Sequence, residues 1–260
     1  MTTQTDTDEA YRKNSKFWTT KGDKLLVVGD YLGRLPSILL LNPKKYQRIL
    51  DAGCGAGFIA RRLAKAGAEV YGCDRNQAML QKAIEEELRK PRGITYNLTD
   101  ISKALPYSSN FFDGVACVAV LIHDSPEECK QFFCEAKRTL KDNGKLVISS
   151  MHPALYMPGS PNRTDRASWA QYKPLENLPM DKSQKFEEDY VNSNGEHFLS
   201  TVWNHPEKVL TDLMHHAGLE VVRTQSQYVT REVLDSCKQT GEVGYPGFLQ
   251  IVARKLGEGK

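Results

Sequence analysis

The fold of this chain is decided by Arg48-Ile-Leu-Asp-Ala-Gly-Cys-Gly-Ala-Gly57. This stretch predicts a buried strand, a glycine turn and the start of a helix, and Glu69-Val-Tyr-Gly-Cys-Asp74 predicts a second strand that ends in a carboxylate. Glycines at alternate positions leave the turn without side chains, so a ligand can press against its backbone and the open N–H groups of the next helix. Because a carboxylate at a strand end can accept the hydroxyls of a ribose, the pattern predicts a nucleoside-binding crevice at the carboxyl edge of a parallel sheet.

The spacing of the glycines excludes two common nucleotide-binding motifs. The dinucleotide fingerprint needs glycine at its first, third and sixth positions, and counting from Gly53 the sixth residue is Phe58. No Lys-Ser or Lys-Thr pair follows the glycines, which excludes a P-loop. A ligand with a ribose and no phosphate therefore fits this turn better than NAD or ATP does.

Five blocks, taken in order, resemble the class I S-adenosylmethionine-dependent methyltransferases, in the small-molecule branch often named methyltransferase type 11. The blocks are Asp51 to Gly57, Asp74, Asp100-Ile101, and the two segments Phe112 to His123 and Ala136 to Ile148. The resemblance implies an α/β fold with a doubly wound, mostly parallel seven-stranded sheet, which is Rossmann-like and closes in an antiparallel pair. It also implies N-terminal helices, a hairpin cap and S-adenosyl-L-methionine as the cofactor.

Composition narrows the classes of partner. The 260 residues carry a formal net charge of +3 with both signs interspersed, so we expect no nucleic acid. No apolar run approaches the length of a membrane span, and residues 1–9 are polar and acidic, so we expect a cytoplasmic protein without membrane contact. The six cysteines lack metal-like pairing and predict reduced thiols and no metal site. The sequence leaves the oligomeric state open.

The chain divides into four predicted parts. Residues 1–36 are expected to form an N-terminal tail and cap helices, and residues 37–154 the cofactor-binding core. Residues 155–204 are expected to be a cap with a β-hairpin that turns at Asn194-Gly195, and residues 205–256 a helix and the closing strands. Between residues 47 and 150 strands and helices alternate, which indicates a parallel sheet with helices on both faces. The predicted strands are 47–52, 69–73, 93–98, 112–118 and 144–150, with helices at 57–66, 76–90 and 126–141.

The resemblance assigns a set of residues to the cofactor. Asp74 would bind the ribose hydroxyls, Asp100 and the Ile101 backbone the adenine, and the backbone near Val118 the methionine part, while Arg75 would line the adenine. The full set is Asp51, Gly53, Gly55, Gly57, Asp74, Arg75, Asp100, Ile101 and Val118. A structural alternative stays open for two of these residues. Asp51 could stabilise the turn without contacting the cofactor, and Asp100 could cap the segment at Ser102 instead of binding the adenine.

Histidine is the natural proton acceptor near neutral pH, and three histidines follow predicted strands. They are His152, which we place first, His123 and His205; each could instead be structural. The small-molecule methyl acceptor is expected to meet aromatic residues of the two cap segments, namely Tyr11, Trp18 and Trp203, although these could simply pack the caps onto the sheet.

The expected activity is methyl transfer by in-line displacement to an oxygen or nitrogen of a small molecule, and the expected class of acceptor is a secondary metabolite. A non-catalytic S-adenosylmethionine-binding regulatory protein is the alternative. A macromolecule methyltransferase fits less well, because Cys117-Val-Ala-Val120 stands where an amino-methylating nucleic-acid enzyme places Asn or Asp-Pro-Pro-Tyr. A nicotinamide oxidoreductase is disfavoured by Phe58.

Overall fold

A central mixed sheet organises the chain. The computed structural model describes residues 9, 11–12, 29–45, 47–156, 170–171, 180–191, 197–236 and 243–257. Within them a seven-stranded sheet has the order β3-β2-β1-β4-β5-β10-β9. Its strands are β1 Arg48–Ala52, β2 Glu69–Asp74, β3 Thr95–Leu98, β4 Phe112–Val118, β5 Leu140–Met151, β9 Leu219–Tyr228 and β10 Pro246–Lys255. The first five strands pair with their neighbours in parallel, whereas β10 runs antiparallel to both β5 and β9. This confirms the predicted doubly wound sheet that closes in an antiparallel pair.

Helices cover both faces of the sheet because side chains alternate along each strand. On β1, Ile49 joins a cluster on one face with Leu63, whereas Leu50 joins the cluster of the opposite face with Phe132. The helices are α1 Leu35–Leu41, α2 Phe58–Lys65, α3 Gln77–Arg89, α4 Pro126–Thr139, α5 Glu207–His216 and α6 Arg231–Ser236. This arrangement buries the sheet and leaves its carboxyl edge for a site.

Helix α4 shows how local sequence sets its ends, and where prediction was wrong. Ser125 caps the helix in a reciprocal capping box with Glu128. The prediction carried the helix to residue 141 and started the next strand at 144, but the helix ends at Thr139. Leu140 already has an extended backbone and pairs with Phe112 at the start of β4. An irregular register after that pair lets the strand begin early.

A second, smaller sheet contains the predicted hairpin. It has the order β6-β7-β8, with β6 Ala170–Gln171, β7 Gln184–Val191 and β8 His197–Asn204. The predicted turn at Asn194-Gly195 lies outside the described residues. The hairpin has two different faces: Lys185, Glu187 and Leu199 are exposed on one, which we call the outer face. Ser200 and Asn204 are buried on the other, the inner face.

Helix α1 and the turn that precedes it are anchored to the sheet by a buried side-chain amide. A π-helical turn, Asp30–Arg34, leads into α1. The side-chain nitrogen of Gln250, which is fully buried, donates to the Gly33 carbonyl and to the Ser37 hydroxyl, both at 3.2 Å. Trp18 lies outside the described residues, and the predicted boundaries of the four parts stay predictions. In the part of the chain that the structure describes, no helix is long and apolar enough to span a membrane.

Candidate active site

The turn after β1 strongly favours glycine. Gly53, Gly55 and Gly57 have φ angles of 71°, 51° and 75°, in the left-handed region that side chains disfavour. A Cβ atom at Gly53 would overlap the side chain of Val120, and one at Gly57 would overlap the hydroxyl of Tyr96. The turn therefore packs its backbone directly against the segment that follows β4.

Two carboxylates brace this turn. Asp51, which is 1% exposed, accepts a hydrogen bond at 2.9 Å from the backbone N–H of Ala60 in the first turn of α2. Burial raises the pKa of Asp51 to about 7, although the bond from Ala60 opposes this. Asp74 accepts from the Gly55 N–H through one oxygen and from the Asn76 N–H through the other, each at 2.8 Å. Asp51 thus holds the helix, and Asp74 is oriented at the edge of the crevice.

The segment after β3 brings Asp100 and Ile101 to the same edge of the sheet. One oxygen of Asp100 accepts from both the backbone N–H and the hydroxyl of Ser102, at 2.9 and 2.8 Å. Ile101 is buried. The local capping of Ser102 that the sequence left open is therefore present, and contact of Asp100 with adenine stays a prediction. Val118 ends β4, and Ala119 after it has a left-handed φ of 58°.

An ion pair that the sequence did not predict crosses the crevice. The guanidinium of Arg75, directly after Asp74, donates at 3.0 Å to Asp124, which is 1% exposed. Burial raises the pKa of Asp124 to about 7, while Arg75 lowers it. Because β1 lies between β2 and β4, the pair spans the end of β1. Arg75, predicted to line the adenine, is thus also bound to the segment after β4. No pattern in the sequence indicates this contact.

Tyr11 and His123 come together although 112 positions separate them. The Tyr11 hydroxyl lies 2.7 Å from Nε2 of His123, and the rings meet edge to face with centroids 5.1 Å apart. Nδ1 of His123 lies 3.4 Å from the Thr201 carbonyl oxygen. A carbonyl only accepts, so Nδ1 carries the proton and Nε2 accepts from Tyr11. Burial, with a smaller contribution from Arg75, lowers the pKa of His123 to about 4.

His205 holds the turn that carries His123. Its Nε2 donates to the carbonyl oxygens of Leu121 and Asp124, both at 3.0 Å, and its Nδ1 accepts from the Ser183 hydroxyl at 2.7 Å. Trp203 stacks on the His205 ring, with the centroids 6.1 Å apart. Burial lowers the pKa of His205. His205 therefore joins the hairpin to the 3-10 turn Leu121–His123, which we call the rim turn.

The side chain of His152 is directed along the sheet toward β9, away from the strands that carry the glycine turn and Asp74. Its Nδ1 accepts at 3.1 Å from the Ala154 N–H, and its Nε2 donates to the Ser226 hydroxyl on β9 at 3.2 Å. Since β10 separates β5 from β9, the ring reaches across β10 and away from β1. Burial lowers its pKa. Both ring nitrogens have protein partners, and the role of His152 toward an acceptor stays a prediction.

The middle of the chain matches a known protein family. The family model Methyltransf_11, described as a methyltransferase domain, matches residues 50–148. These residues form a class I S-adenosylmethionine-dependent methyltransferase domain. It is the domain of an enzyme, and its family's cofactor is S-adenosylmethionine, as the sequence predicted.

Named relatives match the same domain. The chain is 34% identical over 112 residues to a demethylmenaquinone methyltransferase of Tropheryma whipplei, covering 43% of this chain and 45% of that protein. It is 31% identical over 106 residues to a ubiquinone biosynthesis O-methyltransferase of Alkalilimnicola ehrlichii, covering 41% of this chain and 42% of that protein. The chain thus spans less than half the length of either relative. An S-adenosylmethionine-dependent methyltransferase structure from Methanosarcina mazei shares the fold, with a TM-score of 0.63, 22% identity and coverage of 85% and 98% of the two chains.

The residues of the methyltransferase domain fit this cofactor. The left-handed φ angles of Gly53, Gly55 and Gly57 disfavour side chains on the turn, and a Cβ at Gly53 or Gly57 would also overlap a neighbouring side chain. Asp74, at the end of β2, is held by two backbone N–H groups in a fixed orientation. In the described part of the chain, no three His, Cys, Asp or Glu side chains are grouped so as to hold a metal ion.

Proposed function

We propose that this protein transfers a methyl group from S-adenosylmethionine to an oxygen or nitrogen of a small molecule, with Tyr11 and His123 facing the acceptor. The hydrogen bond of 2.7 Å between these two side chains carries the proposal. It joins the N-terminal segment to the rim turn, and Val120, the residue before that turn, packs against Gly53. The names of the two relatives support a small-molecule acceptor, and we extend this to a secondary metabolite.

The domain's own residues would hold the cofactor. Asp74 would accept the ribose hydroxyls, and the glycine turn would admit the nucleoside against its backbone. Asp100 and Ile101 would meet the adenine, and the end of β4 at Val118 would lie along the methionine part. When bound, S-adenosylmethionine supplies an electrophilic methyl group on a positively charged sulfur. Alignment of an acceptor and exclusion of water can then lower the barrier by several kcal/mol.

The proton step would fall to His123. As the acceptor's O–H or N–H group forms its bond to carbon, its proton must leave, and Nε2 of His123 would take it directly or through the Tyr11 hydroxyl. Because the pKa of His123 is about 4, the ring is neutral at physiological pH. It is a weak base, but an oxygen that has just gained a methyl group is a much stronger acid than imidazolium. A weak base therefore suffices for a hydroxyl acceptor.

His205 would act as a positioning residue. Its bonds to the Leu121 and Asp124 carbonyls fix both ends of the rim turn, and so the direction of the His123 ring. His152 is proposed to contact the acceptor from the end of β5. Trp203 is proposed to line the acceptor site from the hairpin.

The first test has two steps. Isothermal titration with S-adenosylmethionine, S-adenosylhomocysteine and NAD should show micromolar binding of the first two and none of NAD. Incubation with S-adenosylmethionine and a panel of phenols, catechols and amines should then yield a product with one added CH2 by mass spectrometry. Binding of NAD alone, or of none of the three, would refute the assignment. Cofactor binding without transfer to any acceptor would favour the regulatory alternative.

Paired variants test the residues. His123→Asn and Tyr11→Phe should lower turnover while the affinity for S-adenosylhomocysteine is unchanged, and loss of a general base costs on the order of a hundredfold or more. The matched control is His216→Asn, because His216 is exposed at the end of α5 and bonds the Asp212 carbonyl. Equal turnover in all three variants would remove the Tyr11–His123 pair from the mechanism.

A further inference from the structure

Two oppositely charged side chains of the described chain, Arg75 and Asp100, lie at neighbouring strand ends without forming an ion pair with each other. Strands β2 and β3 pair in parallel, and the Thr99 N–H donates to the Asp74 carbonyl at 3.0 Å. Arg75 and Asp100 each follow this bond by one residue. The Arg75 guanidinium donates instead to Asp124, across the end of β1. It thus pairs with an acid two strands away rather than with one on the adjacent strand, which requires an explanation.

Burial explains which acid binds Arg75. Asp124 is 1% exposed, and an unpaired charge buried to this degree is strongly destabilising, whereas Asp100 is only partly buried and can be hydrated. The guanidinium therefore stabilises the protein more at Asp124. The backbone of Asp124 is also fixed, because its N–H donates to the Leu121 carbonyl at 3.1 Å and its carbonyl accepts from Nε2 of His205 at 3.0 Å. Asp124 is thus a rigid anchor for the long side chain of Arg75.

One oxygen of Asp100 is left for a ligand as a result. The first oxygen accepts from the N–H and the hydroxyl of Ser102, and the second has no hydrogen-bond donor in the described part of the chain. Glu128, another acid close to Asp124, is instead engaged in the capping box of α4. If Asp124 did not bind Arg75, the guanidinium would turn to Asp100 and occupy the oxygen that the adenine needs. It would compete effectively, because a charge-assisted pair is stronger than a hydrogen bond from a neutral amine.

We propose that Asp124 is a positioning residue for the cofactor, which holds the Arg75 guanidinium away from Asp100 so that Asp100 can accept a hydrogen bond from the adenine of S-adenosylmethionine. The proposal rests on the proposed function, because that function assigns Asp100 to the adenine. From the held position Arg75 can line the adenine, as the sequence predicts. The carboxylate of Asp124 is almost fully buried and acts only through Arg75.

The test is calorimetric titration of a double-mutant cycle with S-adenosylhomocysteine. Asp124→Asn removes the charge, keeps the size of the side chain and releases Arg75. The affinity should fall roughly threefold to tenfold, because the adenine either loses one hydrogen bond or must displace the guanidinium. Adding Arg75→Gln removes the competing cation, so the double variant should bind roughly threefold more tightly than Asp124→Asn. Arg75→Gln in the wild type should bring no such gain, because Asp124 already holds the guanidinium there.

Two further sets of variants make the test robust. Asp124→Ser also removes the charge and should behave as Asp124→Asn does, so the cycle can be completed if the asparagine variant does not fold. The matched control is Glu220→Gln, alone and with Arg254→Gln, because this exposed pair also joins two strands, β9 and β10, at the opposite edge of the sheet. Both control variants should bind S-adenosylhomocysteine as the wild type does. Titration well below the Tm of each variant keeps a loss of stability from changing the measured affinity.

The outcomes separate the two proposals. If the wild type does not bind S-adenosylhomocysteine, the proposed function fails and the role of Asp124 fails with it. If the wild type binds it and Asp124→Asn binds it equally well, only the positioning role is refuted. That role is also refuted if the double variant binds no more tightly than Asp124→Asn, because the loss would then not come from Arg75. In both of these cases the methyltransferase assignment stands.

Discussion

Replacing Arg75 by glutamine should destabilise this protein in a way that depends on pH. Arg75 donates at 3.0 Å to Asp124, whose side chain is 1% exposed, while the Arg75 side chain is 20% exposed. Removing one partner of a buried ion pair usually costs 3–5 kcal/mol. Because the guanidinium is in part hydrated, we expect a loss of about 3 kcal/mol in the free energy of unfolding at pH 8.

The loss should shrink as the pH falls. Burial already raises the pKa of Asp124 to about 7, and without Arg75 it rises further. A carboxyl with a raised pKa in the folded state binds protons there before it does in the unfolded chain, so acidification from pH 8 to 6 favours folding. Acidification should therefore raise the free energy of unfolding of the variant more than that of the wild type, because the pKa of Asp124 is higher in the variant. The difference between them should fall by roughly 1.4 kcal/mol for each pH unit over which only the variant's carboxyl is protonated.

Urea denaturation of the two proteins at pH 6, 7 and 8 measures this directly. Arg89→Gln is the matched control, because Arg89 pairs with Glu86 on the exposed surface of α3, and it should have no measurable effect. Adding Asp124→Asn to the Arg75→Gln variant should restore most of the lost stability. A loss that is the same at pH 6 and pH 8, or no larger than that of Arg89→Gln, would refute the reasoning.

Three further variants test other parts of the site. Gly57→Ala should cost several kcal/mol of stability, since its φ is 75° and a Cβ would overlap the Tyr96 hydroxyl; a thermal melt equal to that of the wild type would contradict this. Asp74→Ala should weaken S-adenosylmethionine binding by about 1–3 kcal/mol, the cost of leaving hydroxyls unpaired, and unchanged affinity by calorimetry would remove Asp74 from the site. His152→Ala should lower turnover more than cofactor affinity, and unaltered turnover would make its bond to Ser226 purely structural.

The conformation of the glycine turn and the place of Asp74 at a strand end could be predicted from the sequence because they depend on local structure, while their contact with the cofactor stays a prediction. Three glycines in a turn and an acid at the next strand end are separated by few residues, and their geometry follows from strand and turn chemistry. The partners of the remaining side chains are not local. Nothing in the sequence pairs Arg75 with Asp124, because the contact exists only once β1 has been placed between their strands. The same holds for Tyr11 and His123, which the sequence named separately and did not connect.

The hairpin also determines which nitrogen of His123 can act. The Thr201 carbonyl lies 3.4 Å from Nδ1 and can only accept, so it holds the proton on that nitrogen and leaves Nε2 as the acceptor toward Tyr11. His205, the residue directly after β8, fixes the same turn. If the hairpin moved away, both constraints on the ring would be lost together. The position of the hairpin and the orientation of the base are therefore coupled, because both contacts come from β8 and the residue that follows it.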